Sequence, residues 1–306
     1  MPLVSACTYP RSTALSITRD VIDCTHISTT ESAAHGASVQ NICYLLGSRS
    51  AGVGVLIDPG AEPETILTAV QHRERDCGLR ITHILLSRAH ILTFLAARQL
   101  AEATGALVCL HAADLHLWRL RRGDQCLAFG ITDTAGGRSA ESSSGLLAEG
   151  DPDVILSAGD VVGNRSLDLQ VLHTPGVTPG SCCFYSLSQR LLFTGGTLQR
   201  GSCGRLDMGG DSAALAQSLQ EELVPLLVGL DDESELETQG GGDEGEDNGA
   251  EVDLAESVKG SNNNSGPITR DIRVAPGQGC ATTLAWETSN NPWFRLDASK
   301  SKRSKL

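Results

Sequence analysis

Apolar residues fall along this chain in short runs broken by polar and glycine-rich text, and the spacing of those runs predicts an alternation of strands and helices. From Asn41 the segments NICYLLG and VGVLIDPG read as two strands joined by a turn. Before them, residues 1–40 are rich in Ser, Thr and Ala, with one strand expected around Ile17–Ile22. Between Glu62 and Arg75, Ile66, Leu67 and Val70 share a helical face and Pro63 suits a first turn. ITHILLS is a buried strand, Ile91–Thr104 an amphipathic helix, ALVCLH another strand and Asp114–Phe129 a further helix.

A Gly/Ser-rich loop is expected over Thr134–Gly150. Short strands follow in VILSAGDVVG, SLDLQVLHTPG, GSCCFYSL and RLLFTGGTL, then a helix over Ser212–Leu230. ITRDIRVAPGQG reads as strand then loop, and Ala281–Asn290 as the start of a helix. No repeat of fixed period stands out, and the pattern implies layered α/β architecture.

Charge changes this picture in one place. The chain of 306 residues has a formal net charge of −13. Twelve acids and no Lys or Arg lie between Asp231 and Glu256, which leaves 25 acids against 24 bases elsewhere. The segment 231–266 is therefore expected to be a disordered acidic insertion, too polar to form a core. A near-neutral remainder with 4% aromatic residues argues against nucleic-acid binding. No apolar run approaches the roughly 20 residues of a membrane span, and the first residues lack the pattern of a secretory signal. The ten cysteines are scattered, with no CxxC pair, which implies free thiols and a reducing compartment.

The final residues, Ser304, Lys305 and Leu306, spell the peroxisomal import tripeptide behind a basic stretch, 300–306. Delivery to the peroxisomal matrix or a glycosome, through the import receptor, is expected from them.

Several ordered fragments together resemble the metallo-β-lactamase superfamily, in its glyoxalase II-like branch. They are Asn41-Ile42-Cys43-Tyr44, Ile57-Asp58-Pro59-Gly60, ITHILLSRAHILT (81–93), LHTPGVTPGS (172–181) and LLFTGGTL (191–198). Gly204-Arg205-Leu206-Asp207, PGQGCATT (276–283) and NNPWFR (290–295) complete the series. The resemblance implies an αββα sandwich of two mixed β-sheets flanked by helices, spanning 41–299 and interrupted by the acidic insertion. It also implies a site in loops along one edge, where two metal ions activate a hydroxide in active relatives.

At the family's seven ligand positions, however, this chain carries Arg88, His90, Leu92, Thr93, Val177, Gly196 and Gln278. The family expects His, His, Asp, His, His, Asp and His, so His90 alone agrees. A single imidazole cannot hold a divalent ion, which takes three or four protein ligands. No cofactor is expected; zinc or iron would enter only if the protein were an active hydrolase. Arg88, His90, Thr93 and Gln278 offer a guanidinium, an imidazole, a hydroxyl and an amide, a set suited to an anion. The alternative is that Arg88 pairs with a nearby acid or points to solvent.

His111 and His116 lie five apart, which does not align them on one helix face. Cys203 and Cys280 lie in loops that border the site; a thiol nucleophile there needs a base, for which His90 is the candidate, and the alternative is that both are structural cysteines. The expected function is thus that of a non-catalytic, glyoxalase II-like protein with a binding or regulatory role, an active paralogue being one candidate partner. Two other functions stay open: a thioester hydrolase acting on an acyl-glutathione or acyl-CoA, and an interaction protein whose acidic loop meets a basic partner.

Overall fold

The computed structural model describes residues 14–16, 22–32, 38–119, 150–163, 167–206, 209–228 and 271–296. The acidic insertion, most of the Gly/Ser-rich loop and the basic tail lie outside these residues.

Two sheets face each other. The first holds seven strands in the order β1 to β7: Ala14–Ser16, Ile22–Ser32, Ser38–Ser48, Val53–Ile57, Arg80–Leu85, Leu107–His111 and Val154–Leu156. Its early strands pair antiparallel, and β4 through β7 pair parallel. The second sheet holds β8 (Val161–Val162), β9 (Leu169–His173), β10 (Cys182–Ser186), β11 (Leu191–Gly195), β12 (Arg273–Pro276) and β13 (Thr282–Thr283). Only its β11–β12 pair is parallel. Both sheets are therefore mixed.

Strand alternation explains the layering, because successive side chains point to opposite faces. Ile42, Tyr44 and Leu46 of β3 meet Phe184 of β10 and Phe193 of β11 between the sheets. Cys43 and Leu45 of β3 face outward instead, onto helix α1 (Pro63–Cys77) through Ile66 and Val70. Leu192 and Val274 point out from the second sheet onto α5 (Ser212–Ser218) and the π-turn that follows it. The result is the expected αββα sandwich.

Several boundaries differ from the sequence reading. The first described strands are β1 and the eleven-residue β2; of the strand expected around 17–22, residues 17–21 lie outside the described residues. Strand β3 begins at Ser38 and crosses the 40/41 boundary. The helix expected over Ile91–Thr104 is two: α2 (Ile91–Phe94) and α3 (Ala97–Thr104). Between them the Ala96 amide donates to the carbonyls of Pro59 and Gly60, at 3.1 Å each, instead of continuing the helix ladder. The helix expected from Asp114 becomes a 3₁₀ turn and α4 (Leu115–Arg119), with 120–129 outside the described residues.

VILSAGDVVG is not one strand either. β7 and β8 belong to different sheets, and Asp160 turns the chain between them by accepting from the Ser157 amide at 2.8 Å. The helix from Ser212 widens into a π-turn over Leu219–Leu223 and resumes as α6 (Pro225–Val228), because Pro225 supplies no N–H. Residues 282–283 form β13 before α7 (Leu284–Asn290). No helix among the described residues is long and apolar enough to cross a membrane, and the seven cysteines whose side chains are described are free thiols.

Candidate functional site

The loops after β4, β5, β6, β9, β11 and β12 converge on one edge of the sandwich. Backbone bonds tie them together. Cys182 donates to the Ser87 carbonyl at 2.8 Å, Gly277 to Gly195 at 2.8 Å and Ile42 to Gly277 at 2.9 Å.

Asp58, at the end of β4, anchors the loop after β5. Its backbone is left-handed (φ 52°), uncommon for a residue with a side chain. Its carboxylate accepts from the Ser87 amide and from the Ser87 hydroxyl, at 2.7 Å each. Asp114 anchors the same loop from β6. It is fully buried and accepts from the Ala89 amide (2.7 Å), the Thr178 hydroxyl (2.7 Å) and the Gly180 amide (2.6 Å). Sequence reading placed Asp114 at a helix start and missed this role. A lone acid inside the apolar text of 106–118 was the available signal.

Between these two anchored carboxylates sits Arg88, only 7% exposed. Burial pushes its guanidinium below the usual arginine range, and the negative charges of Asp58 and Asp114 oppose that. Burial pushes Asp58 up, and Arg88 and the Ser87 hydrogen bonds pull it back. Arg88 is thus a buried cation balanced by two carboxylates whose oxygens already accept other hydrogen bonds. Its Nε and Nη1 atoms are buried with no hydrogen-bond partner among the described residues.

Gly196 makes the room. A Cβ at that position would lie 2.6 Å from Arg88 Cζ and 3.2 Å from its Nε. The guanidinium therefore fills the space into which a side chain at position 196 would project. At Gly195 (φ 49°) a Cβ would lie 2.5 Å from Ser87 Cβ, so both glycines are needed for this close approach.

The other candidate positions differ in burial and bonding. His90 is partly buried, and its pKa is lowered to about 3 by burial and then by the charges of Arg88 and Arg205. Thr93 is fully buried, and its hydroxyl donates to the carbonyls of Arg88 (2.8 Å) and His90 (2.7 Å). It pins the backbone and does not offer its hydroxyl to a ligand, contrary to the grouping expected from sequence. Val177 is buried in the outer core with Leu215 and Leu219. Gln278 accepts from Gln199 Nε2 at 3.3 Å. Position 92 lies on α2, and its side chain is outside the described residues.

These residues do not fit a binuclear metal centre. A guanidinium carries a fixed positive charge and has no lone pair for a metal. Among the described residues, no three His, Cys, Asp or Glu side chains come together as a metal-binding group.

Nearby, His111 and His173 stack with ring centroids 4.1 Å apart. His111 Nδ1 accepts from the Ala113 amide at 3.3 Å, and His173 Nε2 donates to the Pro179 carbonyl at 2.9 Å. His116 instead bonds the Ala113 carbonyl through Nδ1 at 3.0 Å, near the surface. Burial raises the thiol of Cys203 to about 11 and that of Cys183 to about 12, which makes these two poor nucleophiles.

The family model of the metallo-beta-lactamase superfamily matches residues 39–233. An uncharacterized protein of Aquifex aeolicus is 32% identical over 185 residues, covering 60% of this chain and 78% of that protein. The hydroxyacylglutathione hydrolase GloC of Haemophilus influenzae is 28% identical over 173 residues, 56% of this chain and 74% of that one. Among solved structures, the BLEG-1 B3 metallo-beta-lactamase superposes with a TM-score of 0.58 at 22% identity, over 88% of this chain and 100% of that one, a likeness of fold alone. With its two mixed sheets, their flanking helices and a family match over most of its length, the chain belongs to the metallo-beta-lactamase superfamily.

Proposed function

We propose that this protein is a metal-free, catalytically inactive member of the superfamily that serves by binding, as a small-molecule binder or a regulatory partner. The observation that carries this reading is the Arg88 guanidinium seated over Gly196, between Asp58 and Asp114. A built-in cation here takes the place of the family's metal-bridging carboxylate. The raised thiols of Cys203 and Cys183 make these two poor substitute nucleophiles.

Metal content tests it. The full chain, expressed with zinc and iron available, is expected to purify with far less than one ion per chain by plasma mass spectrometry. It should also leave acyl-glutathione and acyl-CoA thioesters unhydrolysed. One or two tightly held ions per chain, or thioester turnover, would overturn the reading. Delivery to peroxisomes or glycosomes rests on Ser304-Lys305-Leu306 alone. Import of the fluorescently tagged chain should stop when residues are appended after Leu306.

A further inference from the structure

The buried face of Arg88 has donors that nothing described satisfies. Nε and Nη1 both lack a hydrogen-bond partner among the described residues, in a side chain that is only 7% exposed. A buried donor without an acceptor costs roughly 1–3 kcal/mol, so native structures rarely leave one. The neighbouring acids do not answer it. Asp58 accepts from Ser87, and Asp114 from Ala89, Thr178 and Gly180, and neither carboxylate accepts from Nε or Nη1.

Two further groups lie on the solvent side of Arg88. His90 is partly buried and interacts electrostatically with both Arg88 and Arg205, and Arg205 is exposed. Arg88, His90 and Arg205 thus form a series of decreasing burial, with a positive charge at each end.

The geometry points to a binding site for a small carboxylate monoanion at Arg88, reached past Arg205 and His90. This rests on the metal-free reading above, since a metal centre would need the same space. An acceptor oxygen at Nε or Nη1 would make a charge-assisted hydrogen bond that is now unmade. With Asp58 and Asp114 offsetting the two arginines, the ligand gains from the unmade hydrogen bonds and not from surplus charge. A second negative charge would add only repulsion from the two carboxylates, so a monoanion is preferred to a dianionic phosphate. Binding uncovers the two nitrogens by a local shift of the surrounding side chains.

The Nε–H resonances of the arginines, followed by NMR on the isotope-labelled full chain, read the proposed contact directly. The Arg88 signal is assigned by its loss in Arg88→Lys. Titration with acetate should move that signal to saturation, with half-effect on the order of millimolar. Arg205→Gln changes an exposed residue, so folding should survive, and it should weaken the half-effect by roughly threefold, the scale of an exposed charge.

Acetamide and inorganic phosphate are the controls. No movement with acetate at about 50 mM, well above the expected half-effect, would overturn the site. Equal movement with acetamide would overturn the requirement for an anion. Tighter binding of phosphate would overturn the preference for a monoanion. Metal content measured on the same sample separates the two proposals. A metal-free protein that ignores acetate overturns this inference alone, and a metal-loaded one overturns the metal-free reading itself.

Discussion

The guanidinium of Arg88 lies where a side chain at position 196 would begin, so Arg88 and Gly196 are one structural unit. Each residue makes sense only beside the other. A double-mutant cycle measures this. Gly196→Ala forces a Cβ against a buried guanidinium, an overpacking expected to cost about 1–3 kcal/mol. Arg88→Ala leaves Asp58 and Asp114 without their buried cation, at about 3–5 kcal/mol. The double variant is relieved of the clash, so the two losses should fall short of additivity by about 1–3 kcal/mol in urea unfolding. Strict additivity would mean that the guanidinium does not rest on position 196.

Thr93 separates a scaffold role from a binding role. Its buried hydroxyl ties the carbonyls of Arg88 and His90 together and so fixes the turn into α2. Thr93→Val keeps the shape and removes those bonds. It should lower stability by about 1–2 kcal/mol. Thr93→Ser keeps the hydroxyl and should recover much of that loss. Thr93→Val as stable as the parent would show that the hydroxyl does not pin this turn.

Much of the architecture was legible in the sequence. The alternation in NICYLLG gives Ile42, Tyr44 and Leu46 to one core and Cys43 and Leu45 to the other. What could not be read was which polar atoms satisfy one another. Thr93 looked like a group free for a ligand, yet two carbonyls five and three residues back claim it. The break before α3 was equally hidden, because apolar spacing runs through Leu95 and Ala96. Only the distant carbonyls of Pro59 and Gly60 draw the Ala96 amide out of the helix. The sheet change between β7 and β8 depends on pairing partners far along the chain.

Asp114 should prove one of the most sensitive polar positions. Its two oxygens accept from three donors on two separate loops, Ala89 on one and Thr178 and Gly180 on the other. Asp114→Asn is nearly isosteric, but its amide nitrogen faces donors instead of accepting from them. A loss of about 2–4 kcal/mol is expected from charged hydrogen bonds broken in a buried place. Thr178→Ala removes a single donor and should cost about 1 kcal/mol. Equal effects from the two variants would show that Asp114 does not join these loops.

Acid should weaken the fold through His111. The pKa of His111 is lowered from 6.5, first by burial and next by the His173 ring, while the carboxylates of Asp114 and Asp160 pull the other way. A histidine with a lowered folded pKa binds its proton more readily in the unfolded chain. Its contribution is therefore complete above the unfolded pKa and is lost as the pH falls below about 6.5. Protonation would also take Nδ1 away from the Ala113 amide that it accepts. His111→Asn supplies a short side-chain acceptor for that amide and removes the titrating ring. His83 is lowered by burial and Asp58 is raised by it, but both are present in parent and variant, so they cancel in the comparison. Unfolding free energies from urea melts at about pH 7.5 and about pH 5.5 should fall more steeply for the parent than for His111→Asn. An identical pH dependence would show that the ring is no harder to protonate in the folded protein than in the unfolded chain.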